Sequence, residues 1–382
     1  MQTSTDRILV THTGSLPRPA DLDQLLFARE EGDTVSPEAF AEQLQRASAD
    51  VVAAQLEAGV DVVNDGELGK IGYSTYVKER LTGFEGNSEP VRSAEMIEFP
   101  TVFAAVFDTP GFQHMKLPAC NGPVSLADPD AVGEDISGLR TAVGDRDVAE
   151  LFMSAASPGV IATFLRNEHY ASHEEYLFAL ADAMKPEYDA IAAAGIVLQL
   201  DCPDLAMTRQ MGSNADLSDE QFLDQIRLHV RALNHAVRDI SPEQLRLHVC
   251  WGNYAGPHIY DIPMRDIVDI VLTARPSGLA FEAANPRHEH EWAVWRDVRL
   301  PEDKVLIPGV LDTTSNYVEH PELVAQRIVR FAELVGRERV IAGTDCGFGT
   351  FAGYYTVDPS VVWLKLRAMA EGARLASEQL WR

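Results

Sequence analysis

Residues 245–250 read LRLHVC, a short apolar run that ends in a histidine and a cysteine. A run of this length that is apolar almost throughout is typical of a strand buried on both faces of a parallel sheet. Amphipathic helical patterns precede and follow it, at residues 219–238 and 263–274. The stretch therefore predicts a strand of a parallel sheet that crossover helices connect to its neighbours.

The same alternation recurs along the rest of the chain. Further apolar runs of strand length lie at residues 8–15, 60–67, 116–124, 196–201, 278–283, 304–312 and 339–346. Further helical patterns lie at residues 37–58, 173–194, 321–335 and 359–376. Eight such strands predict an α/β protein, a closed (β/α)8 TIM barrel in a single domain over residues 1–382. An open doubly wound sheet is the alternative, although no GxGxxG motif follows the first run.

Two long stretches do not fit the eightfold alternation, at about residues 78–115 and 126–168. Both are rich in glycine, proline and charge, and they flank the predicted third strand at 116–124. Loops of this length are uncommon in compact domains and are usually functional or disordered. Aromatic residues such as Phe103 and Phe164 argue against disorder, so we interpret both stretches as insertions that shape one edge of the active site.

The net charge of the chain limits the kinds of molecule that we expect it to bind. Lys and Arg number 32 and Asp and Glu number 58, which gives a formal net charge of -26. A surface this acidic repels phosphate backbones, so we expect no nucleic acid partner. The sequence shows neither a long apolar run nor a secretory signal, which predicts a cytoplasmic protein with no membrane partner. It leaves the formation of a homo-oligomer open.

Side chains that can bind a metal collect at the predicted carboxyl ends of the strands, where barrel enzymes carry their active sites. His248 and Cys250 are two residues apart on one strand, so they point to the same face with Cα atoms about 6–7 Å apart. Glu282 and Cys346 end two other strands. One nitrogen, two sulfur atoms and one oxygen form a donor set that suits tetrahedral zinc.

Each of these ligands also has a simpler interpretation. A free cysteine is often a small buried hydrophobic residue, which is the favoured interpretation for Cys120 and Cys202. A closed structural zinc site is a further alternative. The ligands come from separate strands rather than one tight loop, and the Glu282 carboxylate is readily exchanged. Both features favour a zinc that binds a substrate thiol.

The candidate ligands belong to a longer ordered set of motifs that resembles a known family. The set comprises GSLP at 14–17, NGPV at 121–124, AGI through QLD at 194–201, HVC at 248–250, Glu282, PGVLD at 308–312 and DCG at 345–347. It resembles the catalytic half of cobalamin-independent methionine synthase. The resemblance implies a (β/α)8 barrel and zinc bound by His248, Cys250, Glu282 and Cys346.

The resemblance also implies contacts with the substrates. In that family a first loop holds the carboxylate of the amino acid, and Gly14 and Ser15 occupy the place of this loop. Two acidic residues hold the ammonium group of homocysteine, and Glu67 and Asp201 occupy their places. Trp251 is a candidate for stacking on a flat methyl donor such as a methylated folate, with packing against a helix as the alternative.

The sequence departs from that family in several places. It lacks the large N-terminal barrel, and it reads Asp-Cys-Pro at 201–203 where the family has Asp-Glu-Pro. THTGSLPR at 11–18 and DGE at 65–67 look closer to a single-barrel branch that includes proteins similar to epoxyalkane:coenzyme M transferases. Zinc chemistry is therefore expected to be shared, whereas the identity of the substrates is left open.

These observations predict a zinc-dependent transferase that moves a methyl group to homocysteine or a related small thiol. The alternatives are the alkylation of a different thiol and, in another class, a non-catalytic protein that binds zinc or a thiol ligand. His12, His258 and Asp312 are candidates for the acid that protonates the leaving group. Carboxylates facing the pocket would favour a thiol with an ammonium group, whereas Arg18 or Arg166 there would favour a sulfonate or carboxylate.

Overall fold

The computed structural model describes residues 1–86, 88 and 91–382. In this part of the chain, six parallel strands form one sheet in chain order. The strands are β1 (Val62–Val63), β2 (Glu150–Ala156), β3 (Val197–Asp201), β4 (Leu245–Val249), β5 (Gly278–Phe281) and β6 (Val305–Pro308). Purely parallel pairing requires a crossover segment between successive strands, which makes this an α/β fold.

Helices fill most of the segments between the strands. They are α1 (Ala20–Glu31), α2 (Pro37–Glu57), α3 (Ala94–Glu98), α4 (Pro100–Phe107), α5 (Pro110–His114), α6 (Ala131–Val143), α7 (Pro158–Phe164), α8 (His173–Ala193), α9 (Asp219–Ala236), α10 (Met264–Val271), α11 (Pro321–Val335) and α12 (Pro359–Leu380). No helix in the described residues contains a segment both long and apolar enough to cross a membrane.

Local sequence explains where the long helices begin. Helix α2 starts after Ser36, whose hydroxyl accepts the Ala39 N–H, and it has proline at its first position. Helix α9 starts at a capping box in which Ser218 and Gln221 satisfy each other's backbone N–H groups. The predicted starts of the helices at 37, 173, 219, 321 and 359 are therefore confirmed.

Two further backbone segments run alongside the sheet and make isolated parallel bridges. The Asp61 N–H donates to the Val10 carbonyl over 2.9 Å, and the Thr11 N–H donates to the Ala342 carbonyl over 2.8 Å. The Ile341 N–H in turn donates to the Leu306 carbonyl of β6 over 2.9 Å. Segments 8–11 and 340–343 are thus hydrogen-bonded to each other, and each is also bonded to one end of the sheet.

The third strand is not where the sequence pattern predicted it. Residues 116–124 make isolated bridges at Ala119 and Cys120 instead of a strand, and β2 lies between β1 and β3 in the sheet. Proline and glycine within 116–124 prevent a continuous ladder. Residues 126–168, predicted as an insertion, contain α6, β2 and α7, so that interpretation is corrected. Residues 78–115 instead contain the three short helices α3, α4 and α5.

The face of the sheet opposite the helices holds a buried polar network around Arg246. The guanidinium donates to Gln199 Oε1 over 2.7 Å, to Thr11 Oγ1 over 3.0 Å and to the His12 carbonyl over 2.6 Å. It also lies 3.6 Å from the centre of the Phe152 ring. Burial lowers the pKa of Arg246 to about 9, so the group remains charged at neutral pH. Arg246 therefore joins β3 and β4 to the segment near the N-terminus.

Arg246→Leu is expected to lower the free energy of unfolding by about 3 kcal/mol, because it leaves several buried acceptors without their charged donor. Arg231→Leu is the matched control, since Arg231 is exposed on α9 and pairs with an exposed Glu174. Urea unfolding followed by circular dichroism measures both. If Arg246→Leu lowered the free energy of unfolding by no more than the roughly 0.5 kcal/mol that is typical of surface substitutions, this role would be contradicted.

Candidate metal centre and substrate cavity

A cavity of about 800 Å³ lies at the carboxyl ends of β3 and β4. Asp201 and His248, near those ends, line it together with Cys250 and Cys346. Side chains of α3–α5 and of the loop after Cys346 form the opposite walls. The volume falls within the range of about 300–1,000 Å³ that is usual for small-molecule sites.

Three of the four predicted metal ligands come together in this cavity. The Sγ atoms of Cys250 and Cys346 lie 3.0 Å apart, and one ligand atom each from His248 and the two cysteines lies within 4.8 Å of the others. His248 Nδ1 lies 3.4 Å from Asp201 Oδ1, and its Nε2 lies 3.1 Å from the Asp345 carbonyl oxygen. The predicted convergence of one imidazole and two thiols is thus present.

The electrostatics of the two thiols fit a cation at this place. The hydrogen bond with Cys346 lowers the pKa of Cys250, but burial and the Glu282 carboxylate outweigh it and leave that pKa raised. Burial raises the pKa of Cys346 well above its usual value. Two buried thiols side by side therefore ionise only when a positive charge compensates them, and a soft or borderline divalent metal would supply that charge.

Glu282 lies next to the three converging ligands but is held by other groups. Its Oε1 accepts the Trp251 backbone N–H over 2.7 Å and lies 3.5 Å from Cys346 Sγ. Its Oε2 accepts the Asn285 side-chain amide over 2.8 Å. The carboxylate is thus within reach of the thiol pair while anchored to two neighbours.

Asp345, which the sequence did not single out as a ligand or a support, positions this corner of the site. Its carboxylate accepts the backbone N–H groups of Ala283, Ala284 and Asn285, each over 2.8 Å. A Cβ atom on Gly309 would lie 2.0 Å from Asp345 Oδ1, so this packing requires glycine there. Asp345 therefore ties the segment that carries Cys346 to the segment that carries Glu282.

Glu67, which also lines the cavity, presents an unpaired carboxylate oxygen. Its Oε1 accepts the Ser154 hydroxyl over 2.5 Å, whereas its Oε2 is buried and has no hydrogen-bond partner among the described residues. The pKa of Glu67 is raised to about 7, because burial and the nearby Asp201 carboxylate outweigh the opposing effect of Lys70. Its φ of 57° is unusual for a residue other than glycine, a strain that often marks a functional position.

Gly14 lies beside this carboxylate and Ser15 lines the cavity, while their role in holding the carboxylate of an amino acid stays a prediction. A Cβ atom on Gly14 would lie 2.2 Å from Glu67 Oε1, so the close approach of the two segments depends on glycine. Ser15 lines the cavity, and its Oγ accepts the Gly349 N–H over 3.4 Å. Glu67, Asp201 and Ser15 are thus polar groups that line the cavity.

The candidates for a general acid lie elsewhere. None of the three candidates is among the described residues that line the cavity. They are His12, His258 and Asp312. His12 bonds to Gln55 Oε1 over 2.8 Å, and burial lowers its pKa to about 3. His258 bonds to Asp261 over 2.8 Å, while the Asp312 carboxylate accepts hydrogen bonds from the turn that follows it.

Trp251 is buried beneath the site and does not line the cavity. Its indole N–H donates to the Ile262 carbonyl over 2.7 Å, and its ring packs against His288 with centroids 4.3 Å apart. Its contribution to the site is the backbone N–H that holds Glu282. The sequence interpretation of Trp251 as a stacking platform is therefore corrected.

Two arginines, Arg18 and Arg166, would have favoured a thiol with a sulfonate or carboxylate tail if they faced the cavity. Neither is among the described residues that line it. Arg18 is buried, and its guanidinium donates to the backbone carbonyls of Glu67, Lys70 and Gly349 over 2.7–2.9 Å. It braces the loop that carries Glu67. The carboxylates Glu67 and Asp201 thus line the cavity, whereas Arg18 and Arg166 do not.

The fold and the site together define a class of protein. A parallel α/β sheet whose strand ends bring a histidine and two cysteines to one cavity defines a candidate metal–thiolate protein. Residues 157–374, more than half of the chain, match the model of the cobalamin-independent synthase catalytic domain. The chain belongs to this methionine-synthase-like methyltransferase family, which confirms the resemblance found in the sequence.

Similar proteins span nearly the whole chain. The methionine synthase of Thermococcus kodakarensis is 26% identical over 370 residues, which cover 97% of this chain and 93% of that protein. The methionine synthase of Saccharolobus solfataricus is 25% identical over 383 residues, which cover 97% of this chain and 96% of that protein. A solved B12-independent methionine synthase from Shewanella sp. W3-18-1 is similar in fold, with a TM-score of 0.72 at 18% identity and 98% and 99% coverage.

Cys250→Ser and Cys346→Ser are each expected to abolish stable metal binding, because each removes one of three converging ligands. Loss of a group that merely supports a ligand costs about 10–100-fold in affinity, and loss of a ligand should cost more. Cys202→Ser is the matched control, since Cys202 is equally buried but bonds to the Leu200 carbonyl. Zinc content after equilibration and gel filtration is the measurement, and equal zinc in all variants would refute the site.

Proposed function

We propose that this protein is a zinc-dependent S-methyltransferase that transfers a methyl group to homocysteine or a closely related thiol. The observation that carries the proposal is the convergence of His248, Cys250 and Cys346 at one end of a cavity that also contains Glu67 and Asp201. Membership of the methionine-synthase-like family supports the same reaction class. We further propose that segments 8–11 and 340–343 close the sheet into a (β/α)8 barrel.

His248, Cys250 and Cys346 would hold the zinc, with the adjacent Glu282 as the fourth ligand. When bound, zinc would favour the ionised form of a substrate thiol, which is the nucleophilic form. The protein supplies the rest of the arrangement. Hydrogen bonds from Trp251 and Asn285 hold Glu282 beside Cys346, and Asp345 fixes the backbone on which this geometry depends.

Glu67 and Asp201 would bind the ammonium group of the amino acid. The free Oε2 of Glu67 is a buried acceptor in need of a donor, and an ammonium group has three. Ser15, which also lines the cavity, would donate its hydroxyl to the carboxylate of the substrate. This set of groups favours homocysteine over a thiol with a sulfonate tail, whose charge Glu67 and Asp201 would repel.

Two other functions remain as candidates with specific tests. Alkylation of a different small thiol would use the same metal site with a different group at the Glu67 end. A binding protein without catalysis would hold zinc and thiol but transfer no group. Incubating the zinc-loaded protein with homocysteine and a methylated folate, with mass spectrometry of the products, distinguishes them, because only the proposed activity yields methionine.

The affinity for methionine is expected to rise about tenfold between pH 6 and pH 8. The pKa of Glu67 is raised to about 7, so its carboxylate is mostly protonated at pH 6 and mostly ionised at pH 8. Only the ionised form attracts the ammonium group of the ligand. Calorimetric titration at both pH values measures the change.

The Glu67→Gln variant should lose this pH dependence and bind methionine weakly at both pH 6 and pH 8. Glu57→Gln should retain it, because Glu57 is an exposed carboxylate at the end of α2. An unchanged pH profile in Glu67→Gln would exclude Glu67 as the ammonium ligand.

A further inference from the structure

A second group of metal-binding side chains is buried in the loops that follow β4 and β5. It consists of His258, Asp261 and His288, and we call it the histidine–aspartate cluster. Asp261 Oδ2 lies 2.8 Å from His258 Nδ1 and 3.0 Å from His288 Nε2. The three side chains are 11%, 2% and 4% exposed in the order 258, 261 and 288. Two imidazole nitrogens and one carboxylate oxygen thus converge at a buried point.

The second ring nitrogen of each histidine in the cluster is held by a fixed acceptor. His258 Nε2 lies 3.0 Å from the Tyr254 carbonyl oxygen, and His288 Nδ1 lies 2.9 Å from Glu291 Oε2. The other oxygen of Glu291 accepts the Met264 N–H over 2.7 Å. Histidines that bind metals usually donate one ring N–H to a carbonyl or carboxylate, which orients the ring and leaves the other nitrogen for the metal. Both histidines have this arrangement.

The hydrogen-bond inventory of the cluster calls for a positive charge between its members. Each imidazole faces an oxygen acceptor at both ring nitrogens. A neutral imidazole has only one N–H to donate, so without a metal both rings must carry a second proton. A divalent cation in place of those two protons carries the same charge. With the carboxylates of Asp261 and Glu291, the cluster is then neutral, as a buried site should be.

Packing and backbone conformation hold the two rings in place. The His288 ring packs on Trp251 with centroids 4.3 Å apart, and the His258 ring stacks on Tyr254 with centroids 4.2 Å apart. His258 has a φ of 53°, a conformation that residues other than glycine adopt only when their surroundings enforce it. The candidate ligands are therefore ordered in advance, which lowers the cost of binding an ion.

We infer that His258, Asp261 and His288 bind a second divalent transition-metal ion, of the class of Zn²⁺ or Co²⁺. Two imidazole nitrogens and one carboxylate oxygen suit such ions, whereas Ca²⁺ and Mg²⁺ favour oxygen ligands alone. Because this site has three ligands and no thiolate, its ion should be held less firmly than the ion at Cys250 and Cys346 and should be lost on gel filtration. The second site is separate from the thiolate centre and independent of the proposed methyl transfer.

An ion at this place would fix one wall of the substrate cavity. The loop between β4 and α10 carries His258 and Asp261, and the segment after β5 carries His288. The same loop carries Tyr254, which lines the cavity and donates its hydroxyl to Glu95 of α3 over 2.9 Å. The ion would therefore join two loops and, through Tyr254, hold the cavity wall against α3.

Equilibrium dialysis against Co²⁺ tests the second site directly. The double variant Cys250→Ser/Cys346→Ser removes both thiols of the first centre. The wild-type protein should bind about two ions per chain and the double variant about one. The absorption spectrum of the double variant should lack the sulfur-to-cobalt charge-transfer band of the wild type, because the remaining ion has only nitrogen and oxygen ligands.

Substitutions in the background of the double variant locate the remaining ion. Asp261→Asn and His288→Gln should each lower the Co²⁺ affinity about a hundredfold or more, because each removes a ligand. Glu291→Gln should lower it about 10–100-fold, because Glu291 only orients a ligand. His290→Gln is the matched control, since His290 is exposed in the same segment, and it should bind Co²⁺ as the background does. Circular dichroism checks that each variant is folded.

The possible outcomes decide the question even if a cluster variant fails to fold. One ion per chain in the wild type and none in the double variant would overturn the second site. Undiminished Co²⁺ binding in both Asp261→Asn and His288→Gln would also overturn it. Displacement of Co²⁺ from the double variant by Zn²⁺ but not by Mg²⁺ would support the nitrogen-rich site, whereas equal displacement by Mg²⁺ would contradict it. None of these results bears on the thiolate centre, so the proposed function stands or fails by its own tests.

Discussion

The alternation of side chains along β4 is the constraint on which the site depends. Its aliphatic residues pack into the main hydrophobic core, so Arg246, His248 and the following Cys250 point to the opposite face. Arg246 binds that face to the segment near the N-terminus, while His248 and Cys250 become metal ligands in our account. A one-residue shift in register would exchange the two sets and bury both ligands among helices.

Local properties of the sequence were sufficient to predict much of this arrangement. Parallel strands deliver their carboxyl ends to one edge, so His248, Cys250 and Cys346 could be placed together without knowledge of the loops. The strand Glu150–Ala156 escaped prediction because it ends in Ser-Ala-Ala, residues with little preference for strands. The surroundings of Trp251 could not be predicted either, since contacts with distant loops decide which side chains reach the cavity.

Two chemically distinct halves of one cavity explain how the fold could combine its two tasks. Near the strands, buried thiols and carboxylates suit a cation and the ammonium group of an amino acid. Under α3–α5, aromatic rings and methionines suit an apolar partner. The division keeps Glu67, Asp201 and the two thiols at the strand ends and most of the aromatic rings under α3–α5.

Proton release on binding tests the central claim that a metal at this site ionises the substrate thiol. Calorimetry in buffers of different ionisation enthalpy measures it for homocysteine and for methionine, which lacks the thiol but titrates Glu67 in the same way. At pH 7 the zinc-loaded protein should release about one more proton with homocysteine than with methionine, and the metal-free protein should show no such difference. Equal release for the two ligands on the zinc-loaded protein would contradict the account.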